Sequence, residues 1–425
     1  IELPPIIRFE RQGGGKDAID SAAKLLSDAK FPVILSGAGV VIGNAIEDCK
    51  KLAEKLDAPV CNGYQHNDSF PGSHPLAVGP LGYNGSKAGM QLISKADVVL
   101  ALGTRLNPFS TLPGYGIDYW PKNAKIIQVD MNPDRIGLTK KVTVGICGDA
   151  KMVAQQILEK LSKNAGDSGR EERKNLIHQT KSAWLQTLTG LDHEEDDPGT
   201  VWNKEARERD KDRMSPRQAW RAIQEAMPAD AIISSDIGNN CAIGNAYPTF
   251  EKGRKYLAPG LFGPCGYGFP AILGAKIGCP DTPVIGFAGD GAFGISMNEM
   301  SSCARKEWPA ITMVIFRNYQ WGAEKRNSIL WFDDNFVGTE LDPELSYAKV
   351  ANACGLKGVT AKTMEETTKA IKQSCEDQKK GITTFIEIIL NQELGEPFRR
   401  DAMKKPVEVA GIKKEDMKPQ ILKGN

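Results

Sequence analysis

Residues 282–318 read TPVIGFAGDGAFGISMNEMSSCARKEWPAITMVIFRN, and the interpretation of this stretch decides the fold. Two apolar runs flank a glycine-rich turn and a helical segment, which gives strand, turn, crossover helix and second strand. Ser296 and Glu299 have the spacing of a capping box for that helix. A crossover of this kind is right-handed and sets its two strands parallel, so Asp290 and Asn318 emerge at carboxyl ends of the sheet, where open α/β sheets bind ligands. Gly289 and Gly291 leave room for a diphosphate to approach the backbone, while Asp290 and Asn318 offer one charged and one neutral oxygen. A hard ion such as Mg²⁺ takes oxygen ligands and bridges carboxylate to phosphate. A Gly-Asp-Gly triplet alone is more often a tight turn whose Asp bonds its own backbone. Here it ends an apolar strand, and after 26 intervening residues from Gly291 a second such strand ends at Asn318.

Outward from this stretch the same alternation continues. MSPRQAWRAIQEAM opens with Ser215 as a helix N-cap and Pro216 at the first helical position, and ADAIISSDIG, GFPAILGAKIG and TTFIEIILN extend a strand-and-helix pattern. Towards the amino end, FPVILSGAG, AIEDCKKLAEKL, APVCNG, ADVVLALGT and AKIIQVDMN repeat it. The expected fold class is therefore α/β, with two doubly wound parallel sheets, the first Rossmann-like. Residues 164–213, with GREERK, DHEEDD and NKEARERDKDR, read as a charged, solvated, partly helical linker. The division is a connector over 1–15, a central domain over 16–163, the linker, a second domain over 214–393 and a basic tail over 394–425. Because the chain starts at Ile1 with an extended IELPPIIRFERQGGG, residues 1–15 read as a connector from an upstream domain.

A length of 425 residues accommodates two cores. Fifty-four basic against 53 acidic residues leave a net charge of +1, so nothing in the bulk charge draws the chain to nucleic acid or an anionic membrane, and a small-molecule substrate is expected. The nine cysteines form no Cys-x-x-Cys pair, which fits free thiols in the cytoplasm. No apolar run has membrane-spanning length.

The Gly-Asp-Gly motif at 289–291 with Asn318 at this spacing resembles the signature of thiamine-diphosphate enzymes. The resemblance implies thiamine diphosphate and Mg²⁺ as cofactors, with the metal held by Asp290, Asn318 and the main-chain carbonyl of Gln320, and the diphosphate near Gly289, Gly291 and Ala292. SSDIGNN, residues 234–240, resembles the family's diphosphate-side loop, with Asn239 and Asn240 as donors or, alternatively, as turn residues capping a helix. GPCGYGFPAILGA, residues 263–275, resembles the segment that wedges the cofactor into a bent shape. That register puts Cys265 at the wedge beside Gly266 and Tyr267; the alternative is a buried core thiol. HPL at 74–76, ADVVLALGTRL at 96–106 and IIQVDMNPDRIG at 126–137 resemble the family's central domain. There Gly37-Ala38-Gly39 lacks the full dinucleotide fingerprint, because Ile42 stands at the third glycine's place, and a structural role is favoured.

Two longer stretches, RNYQWGAEKRNSILWFDDNFVGTEL at 317–341 and LNQELGEPFRRDAMKKPVEVAGI at 390–412, are similar to the sulfoacetaldehyde acetyltransferase branch. That likeness implies conversion of sulfoacetaldehyde and phosphate to acetyl phosphate and sulfite, in a homodimer or homotetramer. Two anionic substrates need local positive charge, for which Arg399 and Arg400, with Lys404 and Lys405 nearby, are candidates, the alternative being a solvated charged face. Residues 321–336 read as a loop closing over the cofactor or as packing. The competing functions are a pyruvate-using enzyme of the acetolactate synthase or pyruvate oxidase kind, and a cofactor-binding portion inactive without an amino-terminal domain.

Overall fold

The computed structural model describes residues 10–190, 208–260, 262–305, 307–331 and 335–393. Within them lie two six-stranded sheets, each parallel throughout, with helices on both faces. The first sheet holds β1 (Pro32–Ser36), β2 (Val60–Asn62), β3 (Ala77–Pro80), β4 (Val98–Leu102), β5 (Lys125–Asp130) and β6 (Val144–Cys147), in the order β3-β2-β1-β4-β5-β6. The second holds β7 (Ile232–Ser235), β8 (Tyr256–Leu257), β9 (Val284–Gly289), β10 (Thr312–Arg317), β11 (Lys357–Ala361) and β12 (Thr384–Ile389), in the order β11-β12-β10-β9-β7-β8.

Burial on both faces explains why the central strands are apolar without alternation: all five residues of β1 and of β4 are buried. In the second sheet, alternate side chains feed two separate cores. Ile285 and Phe287 of β9 point to one, where Trp220 packs on Phe287 and Phe316 with ring centroids 4.8 and 5.3 Å away. Val284 and Ala288 point to the other, built around Phe269, Phe293 and Phe385. Ser215 and Gln218 close a reciprocal capping box on the helix Pro216–Ala226, which carries Trp220 to its core.

The segment between the sheets differs from a purely solvated linker. Residues Arg170–Gly190 form one helix that buries Ile177, Trp184 and Leu188. Arg173 is almost fully buried and donates five hydrogen bonds, to the carbonyls of Lys30, Leu56, Asp57, Gly166 and Ser168. High charge in this stretch therefore conceals an arginine that satisfies chain ends of the first sheet's helices. The crossover from β9 to β10 also departs from the capping-box reading. Its helix starts at Asp290 and ends at Ser296, followed by a 3₁₀ turn Met297–Glu299 and a short helix Met300–Cys303. Phe293 is fully buried against Phe269, Phe385 and Tyr347, and this packing pulls the chain into helix immediately after the glycine turn.

Replacing Arg173 by Met retains the aliphatic stem but leaves five carbonyls without their donor. A loss of about 3–5 kcal/mol in unfolding free energy is expected by chemical denaturation; a change within about 0.5 kcal/mol would show that those carbonyls find other partners.

Candidate active site at the carboxyl ends of the second sheet

Strands β7, β9 and β10 lie side by side, so their carboxyl ends deliver three loops to one place. Gly289 pairs with Phe316, putting Asp290 and Asn318 just past the ends of adjacent strands on the same side of the sheet edge. Asp290 is 1% exposed. Its Oδ2 accepts from Arg317 Nη1 at 3.0 Å and from the Tyr319 amide at 2.6 Å, and its Oδ1 accepts from the Gly291 amide at 3.0 Å. A carboxylate offers about four acceptor sites, so Oδ1 retains capacity for one more partner. Burial pushes this carboxyl up to about 6, while Arg317 and the Tyr319 amide pull in the opposite direction.

The loop after β10 is held in an uncommon conformation. Tyr319 has φ +62°, a value disfavoured for a residue with a Cβ. Antiparallel bridging fixes it: Leu341 donates to the Tyr319 carbonyl and Trp321 donates to the Thr339 carbonyl. In that arrangement the carbonyl of Gln320 is turned away from the paired segment. Asn318 Oδ1 and Gln320 Oε1 are buried and have no hydrogen-bond partner among the described residues. The Gln320 amide nitrogen donates instead to the Gln392 carbonyl at 3.0 Å.

The two glycines of the motif serve different ends. A Cβ on Gly289 would meet open space, whereas a Cβ on Gly291 would lie 2.7 Å from the ring of Trp321. Gly291 is thus needed for the indole to seat, and the open side belongs to Gly289. Trp321 starts a segment that is helical over Gly322–Trp331 rather than an open loop, with Arg326 buried and stacked on Tyr83 of the first sheet's region.

The loop after β7 completes the site. Gly238, at φ +136°, precedes the short helix Asn239–Ile243. Asn239 Oδ1 accepts from Tyr83 at 2.8 Å and the Asn240 carbonyl accepts from Trp220 at 2.7 Å. Asn239 Nδ2 and Asn240 Oδ1 are buried without a partner among the described residues. Asp236, fully buried, accepts from the amides of Ile237, Gly266 and Gly268 and so shapes the turn bearing Cys265 and Tyr267. Cys265 is half-buried rather than a core residue, and burial raises its thiol pKa, which keeps it protonated and unreactive. Asp236 lies inside a stretch singled out from sequence, yet its role shows only once the two loops meet.

Residues 19–157 match "Thiamine pyrophosphate enzyme, central domain", and residues 236–388 match "Thiamine pyrophosphate enzyme, C-terminal TPP binding domain". The chain belongs to the thiamine pyrophosphate enzyme family. It is 76% identical over 420 residues to a probable sulfoacetaldehyde acetyltransferase of Rhizobium meliloti, covering 99% of this chain and 71% of that protein. Identity to the sulfoacetaldehyde acetyltransferase of Roseovarius nubinhibens is 74%, covering 99% and 70%. A probable acetolactate synthase large subunit of Methanococcus aeolicus is 29% identical over 84% of this chain and 58% of its own length.

The thiamine pyrophosphate (thiamine diphosphate) cofactor is therefore a property of this chain's family, and the orphaned oxygens and amide nitrogen around Asp290 fit a ligand carrying phosphate and a hard cation. Among the described residues no three His, Cys, Asp or Glu side chains cluster tightly enough to hold a metal by themselves. No described helix is long and apolar enough to cross a membrane. Arg399 and Arg400, with Lys404 and Lys405, lie outside the described residues.

Gly37 and Gly39 allow a close approach of two chain segments: a Cβ on either would come within 2.7 Å of Gly103 or Thr104. The same turn forms one wall of a cleft of about 790 Å³ that Arg11, Arg105 and Arg135 also line.

Two outcomes follow for this family member. Gly291→Ala forces Trp321 from its seat and is expected to abolish saturable thiamine diphosphate binding, measured by quenching of tryptophan emission; unchanged binding would show that the indole moves aside freely. Were Asp290 to hold Mg²⁺ it would have to be ionised; with burial pushing its carboxyl up to about 6, the expected Mg²⁺ affinity of the metal-free protein is constant well above that pH and falls by about tenfold per unit below it. Calorimetric titration with Mg²⁺ between pH 5 and 8 reads this directly.

Proposed function

We propose that this chain is the catalytic part of a Mg²⁺-dependent sulfoacetaldehyde acetyltransferase, converting sulfoacetaldehyde and phosphate to acetyl phosphate and sulfite. The observation that carries the reading is the placement of Asp290 and Asn318 just past the ends of two paired strands in a chain 76% identical to a relative of that name. The reaction is redox-neutral overall: a carbon–sulfur bond breaks, the aldehyde carbon rises to the acyl level, and the carbon that bore sulfur becomes a methyl group. The cofactor supplies a nucleophilic thiazolium carbon and an electron sink.

In this proposal Asp290, Asn318 and the carbonyl of Gln320 hold Mg²⁺, whose charge offsets the diphosphate. Gly289 gives the diphosphate access to the backbone, with Gly291 and Ala292 beginning the helix beneath it. Asn239 Nδ2 is a free donor towards a phosphate oxygen, and Asn240 Oδ1 accepts from a water or cofactor group. Cys265, Gly266 and Tyr267, on the turn organised by Asp236, face the thiazolium side. Division at residues 163 and 213 assigns the diphosphate to the second domain and a supporting role to the first.

Arg399 and Arg400 are proposed to bind the sulfonate and phosphate. Support comes from where the tail departs: Glu393 pairs with Arg217 at 3.0 Å, and its neighbour Gln392 accepts from Gln320. Arg399 follows Glu393 by six residues, a reach of about 20 Å at full extension. A homodimer or homotetramer in the cytoplasm completes the proposal; Phe262, 91% exposed, and Ile295, 58% exposed, offer apolar surface near the cofactor turn for a second copy.

Sulfite release from sulfoacetaldehyde by the full-length protein, assayed with and without phosphate, tests the reading. Phosphate-dependent release with acetyl phosphate as co-product is expected, and turnover of pyruvate in its place would overturn it. Asp290→Ala is expected to abolish release together with Mg²⁺-dependent cofactor binding. Changing Arg399 and Arg400 to Ala should raise KM for both anions by about tenfold or more while leaving cofactor binding intact.

A further inference from the structure

Behind the proposed metal ligand lies a closed circuit of buried groups. Asp290 pairs with Arg317 at 3.0 Å; Arg317 Nε faces Glu387 at 3.8 Å, an electrostatic contact rather than a hydrogen bond; Glu387 accepts from the Tyr347 amide at 3.0 Å; and the Tyr347 hydroxyl donates back to the Asp290 carbonyl at 2.9 Å. Asp290, Arg317 and Glu387 are each at most 2% exposed. Arg317 also donates to the carbonyls of Asp342 and Leu345, so its guanidinium has little freedom to turn. One face of it stacks on Tyr319, 4.3 Å to the ring centroid, and Tyr319 is the strained residue whose amide shares Asp290 Oδ2.

We infer that Arg317 is a positioning residue for the metal site: by occupying Oδ2 and bracing Tyr319, it presents Asp290 Oδ1 and the 318–320 loop in the rigid geometry that Mg²⁺ demands. The inference rests on Asp290 being a metal ligand. Glu387 is the group that makes the arrangement tolerable. Two buried carboxylates and one guanidinium sum to a net charge of −1, so a divalent cation still meets a site of opposite sign despite the arginine beside it. Without Glu387, the Arg317 charge would cancel that of Asp290.

This placement distinguishes position from charge. Removing a cation near a metal site should tighten ion binding if charge alone mattered. Removing a brace should weaken it, and more for Mg²⁺, which requires a near-ideal octahedron, than for the larger and more adaptable Ca²⁺. Outer partners of metal ligands are typically worth ten- to a hundredfold in metal affinity.

The test is calorimetric titration of the full-length protein with Mg²⁺ and, separately, Ca²⁺ in the presence of thiamine diphosphate. For Arg317→Gln we expect the half-saturating Mg²⁺ concentration to rise by about tenfold or more, and that for Ca²⁺ by less than about threefold. Arg317→Lys should recover part of the Mg²⁺ affinity. An equal loss for both ions would reduce Arg317 to a fold-maintaining residue and overturn the inference, as would tighter binding of both. Should Arg317→Gln fail to fold, Arg317→Lys carries the test alone, because it keeps the charge but cannot span Asp290 and the carbonyls of Asp342 and Leu345 at once; a loss larger for Mg²⁺ than for Ca²⁺ is expected, and an unselective or absent effect overturns the proposal. Asp290→Asn is the separate control: Mg²⁺ binding that survives it removes the metal-ligand reading itself, whereas its loss together with an unaffected Arg317→Gln defeats only the positioning role.

Discussion

A single carboxylate, that of Asp290, sits where burial and charge oppose each other at the end of β9. Burial alone would favour its protonated form, while the Arg317 guanidinium and the amides of Gly291 and Tyr319 favour the anion. Those partners come from the glycine turn itself and from residues 317–319 at the end of the neighbouring strand, and each is fixed by something further out. Arg317 ends β10, Gly291 lies in the first turn of a helix whose Phe293 is locked in the core, and Tyr319 is pinned by pairing with residues 339–341. The second sheet as a whole can be read as the support that keeps this one group in place.

That support reaches into both halves of the molecule. The loop after β7 is tied to its own core through Trp220 and to the first sheet's region through Tyr83. Asn67 donates to the carbonyls of Asn245 and Pro248, and Asp68 accepts from the amides of Lys255 and Tyr256, so the two regions are joined by buried hydrogen bonds close to the same loop. Buried polar contacts of this sort constrain geometry more sharply than apolar packing does, because each unmade bond carries a desolvation penalty. The asparagines proposed to meet the diphosphate are therefore held from two directions.

Four buried arginines among the described residues are occupied structurally. Arg173 satisfies carbonyls, Arg217 pairs with Glu393, Arg317 pairs with Asp290, and Arg326 stacks on Tyr83. With a net charge of only +1 for the whole chain, positive charge for anionic substrates has to be local, and it cannot come from groups already committed to the framework. The Gln392 carbonyl accepts from Gln320, and the sequence after Glu393 holds a dense group of basic residues.

The sequence by itself determined the strands that are buried on both faces, because a strand without a wet side is mostly apolar: β1, β2, β4, β5, β7, β9, β10 and β12 are legible in this way, even where a buried polar residue such as Gln128 or Glu387 interrupts the run. It also determined the glycine turn, the spacing from Gly291 to Asn318 and the Ser215 cap, which are properties of short stretches of chain. The four strands it left unread, β3, β6, β8 and β11, are the four sheet edges, short and partly exposed, whose pairing is decided by neighbours distant in sequence. Only the tertiary structure decided that Ser296 ends a helix instead of capping one, that Gly291 makes room for an indole, and that Asp236, Arg317 and Glu387 converge on the site loops. Each of these depends on packing between segments tens of residues apart, and local propensity carries no information about which side chain will arrive from across a sheet.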